Sequence, residues 1–141
     1  MSHQLTFSEL LSYDPGQPGI TVPVVLRLRE QEVSLDAKLD TGASHCIFQR
    51  GYGERPGLEI ESGWRISIST ATGSFTAFGH EISLWVQNFS FEVMAYFAAA
   101  DSYKRNVLGR HGFLNLVRLG LIDYDGKLYL SRYGDNANGE V

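Results

Sequence analysis

The chain has a single cysteine, Cys46, among 141 residues. An internal disulfide is therefore impossible, and a metal site built from four thiolates is excluded. No apolar run is long enough to cross a bilayer as a helix. Residues 1–13 have no basic start followed by an apolar stretch, so they do not read as a signal peptide. Positive charge is not in excess either: 12 Lys and Arg stand against 16 Asp and Glu, a net charge of -4. That balance gives no electrostatic reason to bind nucleic acid or an anionic membrane. His80 and His111 lie at no ligand spacing from each other or from Cys46, so neither a metal nor another cofactor is expected. These absences point to a reducing, cytoplasmic setting.

What is present is ordinary globular composition, 43% hydrophobic and 20% charged, at a length that suits one domain with one core. Residues 1–19 end in Asp14-Pro15-Gly16-Gln17-Pro18-Gly19 and read as an irregular N-terminal arm, although Leu5, Phe7, Leu10 and Leu11 give it means to dock. Residues 20–133 form the expected domain, and residues 134–141 a polar tail.

Inside the domain the pattern is β. Ile20, Val22, Val24, Leu26 and Leu28 alternate with other residues, as do Val33, Leu35, Ala37 and Leu39 after a tip at Glu30-Gln31. Cys46-Ile47-Phe48 reads as a short strand, and residues 51–63 as a surface loop rich in Gly and charge. Residues 64–86 read as a long hairpin with its tip near Gly73, and residues 89–97 as a further strand. Residues 101–105 form a charged loop ahead of the short strand Val107-Leu108, and residues 112–119 suit about two helical turns. Asp125-Gly126 predicts a tight type I′ turn between two last strands. Trp64, Phe75, Phe78, Trp85 and Tyr96 are expected to pack in the core or an interface. The sum is an all-β, closed barrel-like fold with one short helix.

One segment carries chemistry. Leu39-Asp40-Thr41-Gly42-Ala43-Ser44 sets a carboxylate just past an apolar strand, followed by small residues. Glycine permits a sharp bend and close approach, and a threonine hydroxyl can bond backbone across a turn. A carboxylate so placed is rigid and partly desolvated, and a second carboxylate beside it would split the pair's titration. Adjacent His45 and Cys46 suggest a nucleophile pair at first sight. Strand neighbours point to opposite faces, however, so a packed cysteine and a polar histidine are the expectation.

Taken in order, three segments resemble the retropepsin-like aspartic proteases of the wider pepsin group. They are the strand leading into Asp40-Thr41-Gly42-Ala43, the hairpin tip Ala71-Thr72-Gly73-Ser74, and Asn106-Val107-Leu108-Gly109-Arg110. The resemblance spans roughly residues 20–131 and is far more specific as a set than in any part. It implies a single-lobe acid protease fold that forms a homodimer, because two catalytic carboxylates are needed and one Asp-Thr-Gly is present. It implies hydrolysis of an extended peptide or protein substrate by water activated between two Asp40 carboxylates. By the same resemblance Thr41 locks the two loops across the dimer and Gly42 offers its carbonyl to substrate. Ala43 and Ser44 support the site, residues 71–74 form a closing flap, and Val107, Leu108, Gly109 and Arg110 underlie the pocket. Specificity is then expected from apolar pockets. Retroviral members carry an acid at the position of Ser44, paired with the arginine that Arg110 matches, and their flap tip is richer in glycine. These departures sustain an alternative, a binding or dimerisation module of this fold with little or no hydrolysis.

Overall fold

A computed structural model describes residues 1–135; of the expected tail, residues 136–141 lie outside the described residues. Ten strands, one α-helix and three short 3-10 turns follow one another along that stretch.

The alternating apolar run becomes β2 (Thr21–Leu28), with Val22, Val24, Leu26 and Leu28 buried and Pro23 and Arg27 exposed. It turns at Arg29-Glu30, one residue earlier than the sequence pattern suggests, with Arg29 at φ 57°, and pairs in full with β3 (Gln31–Leu39). The other principal strands are β4 (Ile47–Phe48), β5 (Trp64–Thr70), β6 (Gly73–Val86), β7 (Phe89–Ala98) and β8 (Val107–Leu108). Their order across the sheet is β2-β3-β8-β4-β7-β6-β5, and β2 also pairs with β6 through Val25, Leu26 and Arg27. The sheet thus closes on itself and shelters its long edges. The β5–β6 hairpin extends from the closed part. Phe48, Phe97, Leu26, Leu84 and Leu108 are fully buried inside it.

A smaller sheet has the order β1-β10-β9, where β1 is Glu9–Ser12, β9 Val117–Ile122 and β10 Lys127–Arg132. Residues 9–12, read as part of an irregular arm, form a strand because Leu11 buries itself and the backbone pairs with Leu128 and its neighbours. Phe7 also packs beside Tyr129, with ring centres 5.9 Å apart.

Four other local expectations are corrected. The short α-helix, α1, is Arg50–Glu54, inside the presumed surface loop. There Gly53 is buried against Ile60 and Phe97, and that packing outweighs glycine's poor helix propensity. Residues 112–119 hold only a 3-10 turn, Leu114–Leu116, before β9 begins, since Val117 to Ile122 find strand partners on β10. The Asp125-Gly126 hairpin exists, but Ile122 pairs with Lys127, so its loop has four residues. Asp123–Asp125 form a 3-10 turn and Gly126 alone takes φ 63°, which makes it a wider turn than type I′. Trp64, expected in a core or interface, is 71% exposed in the single chain, so it lies outside this chain's core.

Candidate active site

Asp40 follows the last residue of β3, where that strand lies parallel to β8. Its N–H donates to the Leu108 carbonyl at 3.0 Å, one step beyond the strand pairing. The chain then turns back on itself. The Gly42 N–H donates to Asp40 Oδ1 at 2.9 Å, and the Ala43 N–H to the Asp40 carbonyl at 3.2 Å. One carboxylate oxygen is thus fixed by its own loop, as in an Asx turn. Oδ2 has no hydrogen bond among the described residues, so it is the oxygen left for an external partner.

The loop is clamped from the far side. Arg110 N–H donates to the Ala43 carbonyl and His111 N–H to the Ser44 carbonyl, both at 2.9 Å. Gly109 sits where these segments cross, and a Cβ there would come within 2.3 Å of the His45 carbonyl oxygen and 2.7 Å of that of Ala43. Glycine is needed for this close approach of two backbones. Asn106 braces the same layer, accepting from the Gln49 N–H at 3.0 Å.

A cleft of about 420 Å³ opens beside Asp40. Gly42, Ala43, Ser44 and His45 form one wall, and Ile47 and Val107 the apolar floor. The opposite wall comes from Ser67 to Thr70 on β5 and Phe75 on β6, and the rim from Tyr103 and Arg105. Val107 lines it directly, whereas Leu108 and Gly109 are buried beneath and the Arg110 side chain is exposed. Thr41 is exposed next to Asp40, and no hydrogen bond of its hydroxyl is made within the described chain. Ser44 is likewise exposed. The expected flap tip is the turn between Thr70 and Gly73, which are paired. Thr70 Oγ1 donates to the Gly73 carbonyl at 3.1 Å and steadies that turn. Residues 71–74 are exposed and do not line the cleft; the strand residues behind the tip do.

Sequence reasoning missed Phe75, Tyr103 and Arg105 as site residues. Tyr103 stacks on Phe75, with ring centres 4.8 Å apart and planes inclined by 29°. Burial pushes its hydroxyl above the ordinary tyrosine range; the Arg105 charge opposes that shift and the Asp40 charge adds to it. The signal in the sequence was one aromatic in an otherwise polar loop, three residues ahead of the Asn106-Val107-Leu108-Gly109 segment. His45 was read as a polar bystander, yet it faces the cleft, 4.8 Å from the Tyr96 ring and 6.0 Å from that of His111. Burial, and then the neighbouring His111, hold its pKa below the usual value. Cys46 is fully buried, and burial pushes its thiol up to about 11. A thiol so placed is inert rather than nucleophilic.

No group of three or more metal-ligating side chains is found among the described residues. No helix among them is long and apolar enough to cross a membrane.

By sequence the chain matches no family model and no curated protein. Solved structures do resemble it. The EIAV protease in complex with the inhibitor HBY-793 superposes with a TM-score of 0.55 at 18% identity, covering 71% of this chain and 88% of that one. A retropepsin-like aspartic protease from Rickettsia conorii gives a TM-score of 0.58 at 18% identity, covering 79% and 89%. The fold is therefore that of the retropepsin-like aspartic proteases.

Proposed function

We propose that the chain is one subunit of a homodimeric aspartic endopeptidase. The observation that carries this reading is Asp40 itself: its Oδ1 is held by the Gly42 N–H while its Oδ2 is left open, beside a cleft of about 420 Å³. The cleft holds one catalytic carboxylate per chain, and a second copy related by a two-fold axis supplies the other. The free Thr41 hydroxyl beside it suits a bond across that axis. The retropepsin-like fold supports both points.

Two carboxylates at contact distance share one proton, because both cannot ionise cheaply. The ionised member takes a proton from the water between them while that oxygen attacks the peptide carbonyl carbon. The protonated member hydrogen-bonds the carbonyl oxygen and gives up its proton as the tetrahedral diol forms. When the C–N bond breaks, a proton passes to the leaving nitrogen. The products are a carboxylic acid and an amine, and the acid pair returns to its one-proton state. No covalent intermediate forms, and the pair titrates as a unit. The β5–β6 hairpin closes over the substrate and excludes water. A lone, buried cysteine suits the reducing, cytoplasmic setting expected from the sequence.

The test is hydrolysis of a peptide library by the wild type and by Asp40→Asn across acidic to neutral pH. The variant is expected to lose about a thousandfold in kcat, the scale of removing a general base. Unchanged activity would take Asp40 out of the mechanism. Adding excess Asp40→Asn subunits to the wild type is expected to lower activity beyond simple dilution, because mixed dimers lack one acid. A fully active monomer would exclude the shared site. No hydrolysis by the wild type under any condition would favour the binding-module alternative.

A further inference from the structure

Arg105 lines the same cleft as Asp40, together with Val107, Phe75 and Tyr103. Its side chain is exposed, and the ion pairs among the described residues belong to Arg50, with Glu54 and Glu61, not to Arg105. It is a guanidinium with unused donors at the mouth of a cleft whose only carboxylate, among the described residues, is that of Asp40. An adjoining recess of about 350 Å³ extends the charge, with Lys38, Lys104 and Arg105 set against a single acid, Asp36. The basic rim stands out in a chain whose net charge is -4.

We propose that Arg105 makes this cleft select extended peptides carrying an acidic side chain next to the scissile bond. The inference rests on the endopeptidase reading for the words "scissile bond", but the recognition itself needs only a bound peptide. Guanidinium groups bind carboxylates through paired, charge-assisted hydrogen bonds, and Arg105 has no ion-pair partner among the described residues. Phe75, two residues behind the hairpin tip, stacks on Tyr103 and so braces the loop that carries Arg105. In a two-fold dimer the cleft contains two Arg105 charges against one negative charge shared by the acid pair. A substrate carboxylate therefore relieves an imbalance, whereas a basic side chain adds to it. Because the dimer is symmetric, the preference applies on both sides of the cleaved bond.

The experiment measures binding first and cleavage second. A labelled peptide series, identical except for Glu, Gln or Lys placed at each position in turn, is titrated by fluorescence anisotropy into Asp40→Asn. The same series is titrated into Asp40→Asn combined with Arg105→Gln or Arg105→Glu, near pH 6.5 at low salt. At one position or a symmetric pair, Glu is expected to bind about fivefold tighter than Gln, the scale of a partly exposed ion pair. Arg105→Gln is expected to remove that difference and Arg105→Glu to turn it into a preference for Lys, a gain that a misfolded protein could not show. An unaltered Glu preference in the charge-reversed variant overturns the proposal, as does indifference to charge or failure of every variant to bind peptide. Cleavage of the series by proteins retaining Asp40 separates the two readings. Charge-selective binding that inverts without any hydrolysis upholds Arg105 and sinks the protease; hydrolysis blind to charge does the reverse.

Discussion

Two arginines mark two different regions of this molecule. In the small sheet, Arg118 on β9 donates through Nη1 to the carbonyls of Arg132, Tyr133 and Asp135, at 3.3, 3.3 and 2.6 Å, and through Nη2 to that of Thr6 at 2.9 Å. Its fork ties both ends of the described chain to one strand. Arg105, at the mouth of the cleft, has no hydrogen bond or ion pair among the described residues. The same contrast holds for the oxygens: Ser131 is buried and accepts from the Ser8 N–H at 2.7 Å, while Asp40 Oδ2 and the Thr41 hydroxyl stay open. Polar groups of the small sheet hold the fold together. Those of the cleft are positioned by the fold and left free, which is what a binding or catalytic surface requires.

Gly109→Ala gives the largest effect expected from probing this contrast. The added methyl meets two backbone carbonyls that have no room to retreat without disturbing the Asp40 loop. A loss of about 3 kcal/mol in unfolding free energy follows from such overpacking, with activity falling too. Urea unfolding measures it, and a stable, fully active variant would show that the crossing can relax. Arg118→Met comes next. It keeps the apolar stem and removes the donors, for an expected cost of about 2 kcal/mol. Its distinctive sign is faster amide exchange at Leu11 and its β1 neighbours, with Asp40 chemistry little altered; protection unchanged at β1 would separate Arg118 from the arm.

The smallest effect concerns pH. His45 has a pKa below the ordinary 6.5 because of burial first and His111 second. The folded chain therefore holds this proton less tightly than the unfolded chain does. The His45 contribution to stability is intact above about 6.5 and declines as pH falls below that value, where the unfolded chain protonates first. His45→Gln is expected to lose less stability than the wild type between pH 7 and 5, as read from urea midpoints. Parallel declines would mean that His45 does not sense the change.

Much of the barrel is legible in the residue pattern alone. Alternation along residues 20–39 is a local signal, and it gave both faces of β2 and β3 correctly. The hairpin over residues 64–86 was equally plain. The turn around Asp40 was legible because its small residues are needed for its own backbone geometry. Three of the misreadings share one cause. Residues 9–12 became a strand through partners more than a hundred positions away. Gly53 entered a helix through burial against Ile60 and Phe97. Residues 117–119 left the expected helix for β10. In each case a distant partner overrode a local preference, and a local pattern cannot register a distant partner. The site divides the same way: Asp40 was visible in its motif, while Phe75, Tyr103 and Arg105 became neighbours only when the hairpin and the loop before β8 met.

By itself the amino-acid order determined the strands with clean alternation, the Asp40 turn and the packing of the lone cysteine, since each depends on residues close along the chain. Tertiary structure alone decided that the sheet closes through β2 and β6, that the first strand docks on the last, and that Arg105 lines the same cleft as Asp40. The physical reason is that closure and pairing reward contacts between remote segments, and their free energy exists only once the chain has brought those segments together.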